Sequence, residues 1–117
     1  MVGNWVFFAN TASRNDHTRE ISAGPAMQNV QCFANIESSP KAVRASMAEV
    51  VPVRVIVPNL ARKDVLLNVV AKEFRGIDPA STTTGTSLAA PEYLVEIEIA
   101  ACRGASAAQM EHVRVGL

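Results

Sequence analysis

The chain has 117 residues, a length that fits one domain. Apolar residues make up 49% and charged residues 19%, enough for a packed core and too apolar for a disordered chain. Eleven basic residues balance eleven acidic ones, which argues against a surface built to hold nucleic-acid phosphates, and no stretch approaches the ~18 apolar residues of a membrane span.

Cys32 and Cys102 are too few for a disulfide scaffold and fit no metal-ligand spacing. The first apolar run, Trp5 to Ala9, is too short for a secretory signal, so the expectation is a cytoplasmic protein. Residues 4–11 are aromatic and β-branched and read as a strand; Ser13 to Gly24 is a polar loop. From Ala26 a helical pattern begins, with Met27, Val30, Phe33, Ala34 and Ile36 as its apolar face. Pro40 predicts a kink or an early end there, because it removes a hydrogen bond and clashes with the carbonyl of Ile36.

Val50 to Val57 is the strongest strand, apolar on both parities, although Pro52 argues against a central position at that point. Asn59 can cap a second helix that packs through Leu66, Leu67, Val70 and Phe74 and is broken by Gly76-Ile77-Asp78-Pro79. Ser81 to Leu88 is Thr-rich and extended. Tyr93 to Arg103 alternates, with Val95, Ile97 and Ile99 on one face and Glu96, Glu98, Ala100 and Cys102 on the other. The order predicts an α+β sandwich, two helices on one face of a mixed sheet, in residues 1–103, with 104–117 as a short tail. A strand apolar on both faces and only one helical layer point to self-association.

Several segments, in order, resemble the RidA/YjgF family. They are Val2-Gly3-Asn4 and Val6-Phe7-Phe8, then Asn35-Ile36-Glu37, Lys41-Ala42, Ala45-Ser46-Met47 and Glu49-Val50-Val51. Pro79-Ala80-Ser81-Thr82-Thr83 and Val95-Glu96-Ile97-Glu98 through Arg103 are similar to its C-terminal hairpin. The resemblance implies a chorismate-mutase-like homotrimer with clefts between subunits. It also implies hydrolysis of reactive 2-imino acids and enamines to keto acids and ammonia, without cofactor or metal. That chemistry asks for a cation to hold the substrate carboxylate and a carboxylate to manage water and protons.

Under the resemblance, Glu96 is the catalytic carboxylate. Ser81 falls where the family has its carboxylate-binding arginine, and Ala9-Asn10 falls where it has Ser-Gly. The family's first strand, with a site tyrosine, has no counterpart before Met1. Thr83, two past Ser81, shares its strand face, and Arg14 is the candidate to replace the lost cation. Each has a plainer reading: Glu96 and Glu98 as interface carboxylates held by Arg54 or Arg103, Ser81 and Thr83 as strand residues, Arg14 as a solvated loop arginine. Thr11-Ala12-Ser13-Arg14 also resembles a loop of the 2-aminomuconate deaminase branch. His17 and His112 read as surface residues, and Cys32 and Cys102 as small buried ones. A non-catalytic trimer that binds a metabolite or a partner protein is the rival reading. The ribonuclease or translation-inhibitor role attached to this family fits least, with no basic stripe and only six aromatic residues for base stacking.

Overall fold

The computed structural model describes residues 1–107 together with 113, 115 and 116. Among them the order is β1 (Trp5–Phe7), α1 (Pro25–Ala42), β2 (Val50–Val57), α2 (Lys63–Glu73), β3 (Ala80–Gly85) and β4 (Glu96–Cys102). The sheet runs β1-β4-β2-β3, with β2 and β3 parallel and the other pairs antiparallel. This is the expected α+β arrangement, two helices against one face of a mixed sheet. No helix among the described residues is long and apolar enough to cross a membrane. His112 and most of the tail lie outside the described residues.

β2 is central, contrary to the expectation from Pro52. The ladder to β4 steps from Val50↔Ala101 to Val53↔Ile99, three residues against two, so Pro52 sits in a β-bulge where no donor is needed. Residues paired across a ladder point to the same face. Val53, Val55 and Val57 of β2 and Ile97 and Ile99 of β4 therefore meet Cys32, Phe33, Ile36, Leu66, Val70 and Phe74 of the helical layer. The opposite parity is uncovered: Trp5 and Phe7, stacked at 6.1 Å, stay 41% and 68% exposed.

The apolar face that periodicity suggests for α1 holds at Phe33 and Ile36, which enter the core, and fails in the first turns. Met27 and Val30 point outward, 60% and 47% exposed, whereas Gln28 and Asn29 are buried. Gln28 is buried because every polar atom of its amide is used. Its Oε1 accepts from Ser13 Oγ and from Leu94 N, both at 2.8 Å, and its Nε2 donates to the carbonyls of Ser22 and Glu92, both at 2.7 Å. Pro25 starts the helix at its first turn, where a missing N–H costs nothing. Pro40 lies in the last turn, and the helix ends two residues later. Its carbonyl accepts from Ala45 N at 2.9 Å while Arg44, at φ 57°, donates to Lys41 O at 3.4 Å, a Schellman closure with arginine in the left-handed position.

The first strand is shorter than residues 4–11. After Phe7↔Ala100 the chain rejoins β4 at Thr11↔Ile97, four residues against three, so Ala9 and Asn10 form a bulge at the sheet edge. Asn59 caps a 3-10 turn, accepting from Ala61 N at 3.0 Å, ahead of α2. Cys32 is fully buried as expected, but Cys102 is half-buried on the uncovered face opposite Trp5.

Candidate functional site

The expected site residues fall in three places. Ser81 pairs with Val53 and Thr83 with Val55, so both hydroxyls stand on the helical side of β3. Ser81 lines a cavity of about 320 Å³ with Leu67, Val70, Phe74 and Asp78, apolar but for the side chains of Ser81 and Asp78. β3 is exposed along its whole length because it is an edge strand and α2 covers only its margin.

The second place is the far edge of the sheet. Asn10 and Arg14 line one cavity of about 300 Å³, with Asp16, Arg19, Asn35 and Ser39, and Ala9 lies in the adjoining one. The Arg14 loop is held by Asn35 of α1, whose Nδ2 donates to the carbonyls of Ala12 at 3.0 Å and Arg14 at 2.8 Å. Asn15 steadies the next turn, its Oδ1 accepting from the backbone of His17 and Thr18. Two arginines and one aspartate leave this cavity cationic.

The third place is the uncovered face. Glu96 pairs with Ile56 and Glu98 with Arg54, both carboxylates half-buried there. The Arg54 Nη1 and Glu98 Oε1 are 3.9 Å apart, with the side chains 54% and 42% exposed. A cavity of about 270 Å³ opens beside them, lined by Phe7, Pro52, Arg54, Thr82, Glu98 and Ala100. Within one protomer the fold thus brings Asn10 and Arg14 together, and Ser81 with Thr83, but sets Glu96 on the opposite face of the sheet from Ser81.

Thr82 enters only with the fold, whereas the sequence already offers Arg54 as a partner of Glu98, and the 3.9 Å approach of the two bears that reading out. Their meeting depends on the β2–β4 register, which no local motif encodes. Burial, with the charge of Glu96 adding to it, pushes the Cys32 thiol up to about 12, so this sulfur stays protonated and is no nucleophile. Among the described residues no cluster of His, Cys, Asp and Glu is suited to a metal ion.

The family profile described as Endoribonuclease L-PSP matches residues 1–103. The chain is similar to Rv2704 of Mycobacterium tuberculosis, described as a member of the highly conserved YjgF/YER057c/UK114 family. The two are 28% identical over 87% of this chain and 81% of that one, with a TM-score of 0.78. The YjgF gene product of E. coli is 22% identical over 88% of this chain and 84% of its own, with a TM-score of 0.81. A conserved Rid-family protein of Yersinia pestis, YyfA, is 21% identical over 87% and 82%, with a TM-score of 0.82. The search of curated proteins found no significant match.

Proposed function

The chain belongs to the YjgF/YER057c/UK114 (RidA, L-PSP) family, and on that premise we propose that it hydrolyses reactive 2-imino acids and their enamine tautomers to 2-keto acids and ammonia, in the cytoplasm, as a homotrimer. The match over residues 1–103 carries this reading. β1 and β3 are opposite edges of the sheet, so Ser81 and Thr83 share a site with Ala9, Asn10 and Arg14 only across neighbouring copies. The bare apolar pair Trp5 and Phe7 supports burial of the uncovered face in such an assembly.

An enamine first takes a proton at carbon to become the imine. Water then adds to the C=N carbon, and the resulting carbinolamine expels ammonia as its hydroxyl proton leaves. Glu96, half-buried on the uncovered face, takes the proton from the attacking water and returns it to the departing nitrogen. Ser81 and Thr83 offer hydroxyl donors to the substrate, and Asn10 and Arg14 form the opposite wall of the cleft.

The test is keto-acid release from freshly generated 2-iminobutyrate. Wild-type protein accelerates it over the blank, and Glu96→Ala does not; no acceleration by folded protein refutes the proposal. Ser81, where the family resemblance places an arginine, favours a second reading as a non-catalytic binding trimer, which holds if only Ser81→Arg is active.

A further inference from the structure

The cavity between the Arg14 loop and α1 lies within one protomer and holds more positive charge than its own residues neutralise. An antiparallel bridge joins Arg14 to Ile21. Asn15 closes the turn between them, its N–H donating to Glu20 O and its carbonyl accepting from Arg19 N, both at 2.9 Å. The turn sets Arg14, Asp16 and Arg19 around one cavity of about 300 Å³. Asn35 ties the loop to α1 through the carbonyls of Ala12 and Arg14, and Asn15 Nδ2 donates to Gln31 Oε1 at 3.2 Å. The backbone that carries both arginines is thus fixed before any ligand arrives.

Among the described residues the ion pairs are Arg54 with Glu98 and Lys63 with Asp64, so Arg14 and Arg19 have none, although Asp16 lines the same cavity. The Arg14 Nε–H is buried without an acceptor. A charged donor in that position is costly unless an anion meets it. Two guanidinium forks present more N–H pairs than one carboxylate can accept, whereas the terminal oxygens of a phosphate take both.

We propose that this cavity is a phosphate site, separate from the hydrolytic cleft, in which Arg14 and Arg19 clamp the phosphate oxygens and Asp16 accepts a hydrogen bond from a hydroxyl of the ligand. That hydroxyl is the P–OH of free hydrogen phosphate or belongs to the polyol of a phosphate monoester. Sulfate has neither and is bound less well. Arg14 is shared with the proposed cleft wall, but Arg19 is not. Arg19 also adopts φ 65°, a left-handed conformation that glycine takes without strain, so Arg19→Gly removes the guanidinium and keeps the turn.

The probes are inorganic phosphate, glycerol 3-phosphate and sulfate, titrated by calorimetry in a buffer free of other oxyanions. Arg19→Gly weakens phosphate binding about 10- to 100-fold, the loss of a charge-assisted contact. Arg19→Lys recovers part of it, keeping the charge without the fork. Phosphate raises the urea midpoint of wild type and not that of Arg19→Gly. The Arg14 Nε–H resonance shifts with phosphate, and 2-oxobutyrate, a mimic of the cleft's product, does not displace the anion. Tighter binding of inorganic phosphate upholds the site with the free anion as its ligand, and tighter binding of glycerol 3-phosphate upholds it with an ester. No phosphate binding, wild-type affinity in folded Arg19→Gly, sulfate bound as tightly, or displacement by 2-oxobutyrate overturns the assignment. The hydrolase reading stands or falls separately, on keto-acid release.

Discussion

Residues 27 and 28 invert the usual relation between hydrophobicity and burial, and exchanging their polarity tests the fold directly. Gln28→Met keeps the length of the side chain but removes its amide, stranding the Ser13 hydroxyl, the Leu94 N–H and the carbonyls of Ser22 and Glu92. At about 0.5–1.5 kcal/mol net for each of these four bonds, the expected destabilisation is roughly 2–6 kcal/mol, a large part of the ~5–15 kcal/mol that holds a domain folded. Met27→Gln, at a position 60% exposed, is expected within about 0.5 kcal/mol of wild type. Urea unfolding at one fixed protein concentration reads both, with a shifted midpoint and an unchanged m-value marking a change in stability. A neutral Gln28→Met with a damaging Met27→Gln would mean that α1 is rotated to the face its apolar periodicity suggests. The same change bears on function, because Glu92 and Leu94 lead directly into the strand that carries Glu96.

Arg44→Gly relieves an L-residue at φ 57° and should stabilise the protein by about 0.5–1 kcal/mol after the entropy of a more flexible unfolded chain is counted, measured by the same urea midpoint. The backbone N–H of Gly104, at 2.7 Å, holds the Glu49 carboxyl below the ordinary glutamate range, with the Ser46 N–H adding to it. The folded-state pKa is thus the lower one. The stabilisation is complete above the unfolded-state value and disappears as pH falls through the folded one, so acid unfolding curves of wild type and Glu49→Gln should converge below that range. In Cys102→Ser the remaining thiol, Cys32, should resist a thiol reagent at pH 8 until urea unfolds the chain; rapid native labelling would contradict its burial. Filter binding at physiological salt should find no tight RNA complex, given the zero formal net charge.

β2, α2 and β4 were legible because each is set by its own residues: valine density, four well-spaced apolar residues, and a clean alternation; Asn59 caps the 3-10 turn before α2, not α2 itself. Where periodicity misled, a long-range contact was responsible. Gln28 is buried through bonds to residues 15 before it and 64 and 66 after it, none visible in a helical window. Pro52 is tolerated in a central strand because a bulge arises between β2 and β4, which depends on the register between the two. The candidate site was legible residue by residue and not as a constellation. Glu96 and Ser81 were expected to cooperate, but the parity of each strand relative to its neighbour, fixed only by pairing, sets them on opposite faces.

That separation constrains where this fold can place charge. The helical side of β2 and β4 is committed to the core, with Val53, Val55, Ile97 and Ile99 at most 3% exposed, so an arginine there would be buried without a partner. Charge belongs either on the exposed edge strand β3 or on the uncovered parity of the central strands. An arginine on β3 is flanked on one side only and relies on its own long side chain for position. At residue 54 it is flanked on both sides, by Thr82 and by the countercharge of Glu98.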